Sequence, residues 1–402
     1  MDWTDHGISP PSGRIPNDEL RAASLRPPAS GAWRDGDDVG DRQFAWLGAF
    51  SPEHGGELPL IRLAYETWGT LNADRSNAIL VLHALTGDSH VEGQLGPGHP
   101  TAGWWPGIIG PGAPLDTDRY FVIAPNMLGG CQGSTGPASL DARGNAYGAS
   151  FPVLTIRDQV RAQALLADHL GISTFAAVIG GSMGGMHALE WGIMYPDRTQ
   201  RLIVMSAPAA SDAQTIAQNT LQIDAIRLDP NFNDGDYADE PAGFGPHRGL
   251  ALARRLAMLN YRSGTELDDR FGRSWQSNLS PEQDEGRYAV ESYLDFHGNR
   301  FTRRFDANSY ITLLTAMSSH NVGRDRGGVD AALGRVTAST MVIGISTDVL
   351  FPPETQHRIA AGVPNSYSGD RAVTIRSNFG HDGFLLEIHH VGDAIRSMLV
   401  NG

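Results

Sequence analysis

Short apolar runs without polar alternation recur along the chain: Ala78-Ile79-Leu80-Val81-Leu82, Phe121-Val122-Ile123-Ala124, Phe175-Ala176-Ala177-Val178-Ile179, Leu202-Ile203-Val204-Met205, Met341-Val342-Ile343-Gly344-Ile345 and Ala372-Val373-Thr374-Ile375. Runs of this kind predict strands covered on both faces, as in a parallel sheet. Helical periods separate several of them. In Thr155 to Leu170, the apolar positions Ile156, Val160, Ala164 and Leu165 repeat at helical spacing, and Gly171 closes the segment. The order is β-α-β. Between Pro208 and Gly334 the strand signal stops, and Gln214 to Leu228, Gly249 to Tyr261 and Tyr310 to Ser318 read as helices joined by polar loops. The sheet pattern resumes near Val336. The pattern therefore predicts an α/β protein with a mostly parallel sheet, a core from residues 44–208 and 335–402, and a helical lid, 209–334, inserted into it. Residues 1–43, rich in Pro, Gly, Ser and Asp and without period, predict a mobile tail.

Composition narrows the chemistry. The 402 residues carry Lys+Arg 31 against Asp+Glu 45, for a net charge of -14, and every one of the 31 basic side chains is arginine. A chain without lysine cannot use Schiff-base, pyridoxal-lysine, biotinyl-lysine or P-loop lysine chemistry. The acidic balance argues against nucleic acid and anionic membrane as partners, because both are held by clustered positive charge. No apolar run approaches the length of a spanning helix. Asp2, Asp5, Pro10 and Pro11 stand where a signal peptide would have basic and apolar regions, so the expectation is a soluble cytoplasmic protein. A single cysteine, Cys131, excludes an intrachain disulfide and a multi-cysteine zinc site. His187, His320, His389 and His390 show no i, i+4 pairing with an acidic ligand, and no metal is expected.

One motif stands out. Gly180-Gly181-Ser182-Met183-Gly184 follows the run ending at Ile179 and precedes the helix-like Met186 to Trp191. A G-x-S-x-G between a strand and a helix places the serine on a sharp turn, with Oγ lifted above the sheet at the positive end of the helix. Such a nucleophile elbow requires an acid after a later strand and a histidine in a loop near the end. Asp348, after Met341 to Ile345, and His381, after Ala372 to Ile375, occupy those places. His381 would take the serine proton and return it, while Asp348 would fix the imidazole tautomer. The order Ser, Asp, His is that of the α/β-hydrolases. Asp382 is a rival acid, but an adjacent residue cannot easily turn back onto its neighbour's ring. The oxyanion hole should use the amide of Met183 and one from His83-Ala84-Leu85-Thr86-Gly87-Asp88, with Leu85 N–H the candidate and the Thr86 hydroxyl nearby. Gly129 to Gly136 lacks the spacing of a dinucleotide fingerprint and reads as a tight structural loop, with Cys131 a buried small residue.

The stretches Leu82 to His90, Gly103 to Trp105, Asn126 to Pro137, Gly180 to Trp191, Arg304 to Tyr310 and Gly380 to Glu387 together resemble the homoserine O-acetyltransferases, from about Phe50 to the C-terminus. The resemblance implies an α/β-hydrolase fold, acetyl transfer from acetyl-CoA to the hydroxyl of L-homoserine in methionine biosynthesis, and an acetyl-Ser182 intermediate with ping-pong kinetics. It also implies a homodimer whose helical lids meet, and no cofactor beyond acetyl-CoA as co-substrate. On matching positions, Arg254 and Tyr261 from a lid helix and Asp382 would hold the amino acid. Seven residues separate Arg254 from Tyr261, two helical turns, so both lie on one face. Arg255 is the neighbour that could exchange roles with Arg254. The sequence departs from the pattern at Asn260, where threonine is expected, and at Asn321, where aspartate is expected. Transfer of succinyl, transfer to serine, and plain esterase activity share every motif named so far, and a non-catalytic binding protein is the remaining alternative.

Overall fold

The computed structural model describes residues 26–283 and 285–402. Ten strands are present among them: β1 (Gln43–Phe50), β2 (Leu58–Trp68), β3 (Ala78–Leu82), β4 (Ile109–Gly110), β5 (Leu115–Asp116), β6 (Phe121–Pro125), β7 (Ala177–Gly181), β8 (Arg201–Met205), β9 (Ser339–Ile345) and β10 (Val373–Ile375). Eight form one sheet in the order β1-β2-β6-β3-β7-β8-β9-β10, and β4 and β5 pair separately. From β6 to β10 neighbours run parallel, while β2 is antiparallel to both β1 and β6.

The apolar runs became strands because each supplies side chains to two cores at once. Leu80 and Leu82, Leu202 and Val204, and Val342 face one side, whereas Ile79 and Val81, Ile203 and Met205, and Met341, Ile343 and Ile345 face the other. Helices Ile156–His169 and Met183–Met194 cover the first face, and Ile388–Asn401 packs on the second. Thr155 caps Ile156–His169 reciprocally: its hydroxyl accepts from Asp158 N at 3.1 Å, and the Asp158 carboxylate accepts from Thr155 N at 3.0 Å. The edge strand β1, half of it exposed, and its neighbour β2, whose buried positions are interrupted by exposed and half-buried ones, are not legible as runs.

Between β8 and β9 the described chain contains no strand of the sheet. It forms helices Ala213–Arg227, His247–Tyr261, Gly264–Arg270, Ala289–Phe301, Ala307–Ser318 and Val329–Leu333. Asp212, Ser263 and Asp306 cap three of them by accepting from Thr215 N, Glu266 N and Ser309 N. Helix Ala289–Phe301 has no counterpart in the sequence reading.

The expected tail, residues 1–43, needs correction in its second half; residues 1–25 lie outside the described residues. From residue 26 the chain lies first against the lid and then, from Trp33 to Arg42, also against the core loops at Gly98–His99 and Cys131–Gln132. Ser30 Oγ donates to Asp306 Oδ1 at 2.8 Å, and His247 Nε2 donates to the Pro28 carbonyl at 2.8 Å. Gly31 approaches so closely that a Cβ there would lie 2.5 Å from Phe305 N. These lid partners lie more than two hundred residues away in sequence, beyond the reach of a local pattern. No helix among the described residues is long and apolar enough to cross a membrane.

Candidate active site

Ser182 sits where β7 turns into helix Met183–Met194, with φ 57 and ψ -124. A non-glycine residue held there stores roughly 1–3 kcal/mol of strain. The flanking glycines make the turn possible: a Cβ on Gly180 would lie 2.0 Å from Gly184 O, and one on Gly184 would lie 2.0 Å from Leu82 O. Ser182 N donates to Met205 O at 2.9 Å, which ties the elbow to β8.

The loops after β9 and β10 bring the other two residues to it. His381 Nε2 is 2.8 Å from Ser182 Oγ, and His381 Nδ1 is 2.8 Å from Asp348 Oδ2. Asp348 Oδ1 accepts from Leu350 N and Phe351 N, both at 2.9 Å, so its carboxylate is fixed. All three side chains are buried. This pattern assigns the Nδ1–H tautomer, with Nε2 left to accept from the serine hydroxyl. Burial of His381 disfavours its charged form, but the charge and hydrogen bond of Asp348, with Asp382 adding, outweigh this and raise its pKa above the ordinary imidazole value. Asp382 does not compete for the ring; it pairs with Arg262, Nε to Oδ2 3.2 Å.

A cleft of about 150 Å³ opens above Ser182 and His381. Leu85, Thr86, Arg254, Tyr261 and Asp382 all line it; of the other predicted site residues, Asp348 lies behind His381, which it contacts, and Met183 is buried one step beyond Ser182. The Leu85 turn is held by neutral His83, whose Nε2 accepts from Met127 N at 3.0 Å while Nδ1–H faces Ala84 O at 2.7 Å. Burial lowers the His83 pKa. Arg254 Nη1 reaches Thr86 Oγ1 at 3.4 Å, and its guanidinium stacks 5.4 Å from the Tyr261 ring centroid. Arg255 turns the other way and pairs with Asp295. Cys131 is buried, which pushes its thiol up to about 12 and leaves it no nucleophilic role.

The family model of the α/β hydrolase fold matches residues 77–388. A homoserine O-acetyltransferase of Clavibacter michiganensis subsp. michiganensis is 62% identical over 95% of this chain and 98% of its own length. The chain belongs to the homoserine O-acetyltransferase family. Among solved structures, the homoserine O-acetyltransferase from Bacillus anthracis superposes with a TM-score of 0.81 at 28% identity, over 90% of this chain and 97% of that one. Esterase E22 superposes with a TM-score of 0.80 at 30% identity, over 89% of this chain and 99% of that one.

Beyond the residues predicted from sequence, this homoserine O-acetyltransferase family member places Arg304, Arg300 and His297 in the cleft wall. Arg304 Nη1 donates to Thr86 O at 2.9 Å; burial and the neighbouring Arg254 charge bring its pKa down to about 10. His297 is held neutral by burial and by the Arg254 and Arg262 charges, with a pKa well below the ordinary value. Arg304 lies within a stretch that carries the family resemblance, but no local signal distinguishes it from Arg303. A second buried group meets the cleft at His90. Glu66 accepts from Ser89 Oγ at 2.8 Å and from His90 Nδ1 at 2.9 Å, and His90 stacks on His99 with centroids 3.7 Å apart. With Asp41 these residues have the chemistry of metal ligands. One potential ligand atom from each lies within 4.8 Å of the others, but both Glu66 oxygens, both His90 ring nitrogens and His99 Nε2 already have hydrogen-bond partners.

Proposed function

We infer that this protein transfers the acetyl group of acetyl-CoA to the hydroxyl of L-homoserine, the acetylation step toward methionine. Ser182 Oγ attacks the thioester carbonyl carbon while His381 Nε2 takes its proton. The tetrahedral oxyanion is met by the Met183 and Leu85 amides. As the C–S bond breaks, His381 returns the proton to the departing CoA thiolate, leaving acetyl-Ser182. Homoserine then gives its hydroxyl proton to His381, attacks the ester carbonyl, and the proton passes back to Ser182 Oγ. Two half-reactions through one serine are ping-pong. The reaction is complete without metal or bound cofactor; acetyl-CoA is a co-substrate.

The observation that carries this reading is the placement of Arg254 and Asp382 on the cleft beside the Ser182–His381 pair. A guanidinium suits the homoserine carboxylate and a carboxylate suits its ammonium; an enzyme that needs only water as acceptor requires neither. The shared fold with esterase E22 supports a second reading, hydrolysis of acyl esters. The two separate in one experiment: purified protein with acetyl-CoA or succinyl-CoA, with and without homoserine or serine, followed by free thiol. Sustained thiol release that requires homoserine is expected. Release independent of any amino acid would reverse the choice.

Exposed Ile216, Leu221 and Leu228 on and after helix Ala213–Arg227, with Leu252 and Leu259 on helix His247–Tyr261, support a homodimer formed through the lids. A single buried cysteine is in keeping with the reducing cytoplasm, and the net charge of -14 with partners other than nucleic acid or membrane.

A further inference from the structure

Ala84 to Gly87 form a tight turn in which Gly87 N donates to Ala84 O at 2.9 Å. The turn has no room for a side chain at its end, since a Cβ on Gly87 would lie 2.8 Å from His83 Cβ. From the lid, Arg304 Nη1 donates to Thr86 O at 2.9 Å. Arg304 is itself fixed in the bend between helices Ala289–Phe301 and Ala307–Ser318. Its N–H donates to Phe301 O at 3.2 Å, its carbonyl accepts from Gln132 Nε2 at 2.7 Å, and its guanidinium lies 5.4 Å from the Phe301 ring centroid.

These contacts run without a break to Leu85 N–H. A peptide unit is planar, with its C=O and N–H on opposite edges. The Thr86–Gly87 unit carries Thr86 O on one edge and Gly87 N–H on the other, so Arg304 sets the plane from which Gly87 bonds Ala84 O. The Ala84–Leu85 unit carries Ala84 O and Leu85 N–H in the same way, so the bond received at Ala84 O aims the Leu85 amide. His83 Nδ1 holds that oxygen too, at 2.7 Å. A charged donor at the head of the chain also polarises each bond after it. We propose that Arg304 is a positioning residue for the reaction: through two peptide planes it holds Leu85 N–H toward the oxyanion formed on Ser182, so the oxyanion hole depends on the lid.

The inference rests on Ser182 as nucleophile and Leu85 as oxyanion donor, and its test separates this role from direct contact with either substrate. p-Nitrophenyl acetate acylates a serine–histidine pair without CoA or homoserine: Ser182 Oγ bonds to the carbonyl carbon, its proton passes to His381 and nitrophenolate leaves. The nitrophenolate burst, with the intact mass of the protein, reports the adduct. Arg304→Met keeps the side chain's length against Phe301, and Arg304→Gln shortens it; each removes the donor, so whichever variant folds serves. Burst rates are expected to fall about 100-fold, by one factor for p-nitrophenyl acetate and acetyl-CoA alike. The homoserine concentration that half-saturates discharge of acetyl-Ser182 should stay within about twofold, as for an interaction made only in the transition state. Methylboronic acid, whose tetrahedral adduct on Ser182 uses the same amides, should bind about tenfold more weakly or worse. Arg304→Lys restores a charged donor and should regain about tenfold or more of the burst rate. Unchanged burst rates in a folded variant, or no gain in Arg304→Lys, overturns the proposal. So does a loss confined to acetyl-CoA, or a raised half-saturation with intact rates, which would place Arg304 on CoA or on homoserine. Failure of homoserine to discharge acetyl-Ser182 in the wild type would overturn the proposed function instead and leave the ester comparison standing.

Discussion

Arg262 Nε lies 3.2 Å from Asp382 Oδ2, joining the residue after lid helix His247–Tyr261 to the residue after His381. The same contact requires Gly380, whose φ is +65 and where a Cβ would fall 2.7 Å from Ser263 N. Lid and histidine loop are thus one packed unit. Arg262→Ala strands the carboxylate of Asp382, whereas Glu266, 3.6 Å from Arg262 Nη1, keeps its pairing with Arg270. We expect a loss of about 3 kcal/mol in denaturant unfolding, together with a higher KM for homoserine as Asp382 loses its anchor.

The triad makes a pH prediction. His381 serves as base only when neutral, and Asp348 outweighs burial to raise its pKa. The acylation rate should therefore climb through a midpoint above 6.5. Asp348→Asn should move that midpoint downward and slow acylation by about 10⁴-fold, and Ser182→Ala should give no acetyl adduct by mass spectrometry. An unshifted midpoint in Asp348→Asn would remove Asp348 from its assigned role.

Adjacent arginines should differ sharply. Arg254 lines the cleft and contacts Thr86, whereas Arg255 pairs with Asp295. Arg254→Ala is expected to raise the KM for homoserine by about 10- to 100-fold, the worth of a charge-assisted hydrogen bond, with the acetyl-CoA burst largely preserved. Arg255→Ala should stay within about twofold of wild type, since a partly exposed pair contributes little. Collapse of the burst in Arg254→Ala would make that residue structural or part of the CoA site.

Acid should destabilise the fold through its buried histidines. Burial lowers His187 to about 3 and His320 to about 4, and also lowers His83 and His297. Below about pH 6.5 the unfolded chain takes up these protons and the native chain does not, so stability falls as pH falls, by about 1.4 kcal/mol per pH unit for each such group. His90 works against this trend. Its burial is outweighed by Glu66, its pKa is raised, and its contribution is full below 6.5 and lost as pH rises through the folded value. His99 is lowered as well and His381 is raised like His90, so with five lowered groups against two raised, unfolding free energies from denaturant titration should drop between pH 7 and pH 5.

The lid faces make the last prediction. Leu221→Glu combined with Leu259→Glu, both exposed, should convert a dimer to a monomer in sedimentation while sparing the ester burst. A wild-type monomer at micromolar concentration would refute the dimer.

What the sequence determined by itself is local. The elbow is legible because its requirements are met within five residues: glycines at 180 and 184, where no Cβ fits, and a serine between a strand and a helix. The parallel strands are legible because a strand buried on both faces must be apolar throughout, and the order Ser182, Asp348, His381 follows from the fold those strands dictate. The tertiary structure decided everything that depends on which way a helix faces or what lies opposite. Both Arg254 and Arg255 are arginines on one helix, and only packing turned the first to the cleft. The place of Arg304 and the packing of residues 26–42 against the lid and the core loops arise from groups far apart in sequence. Their positions are set by shape and hydrogen-bond partners that a local pattern does not contain.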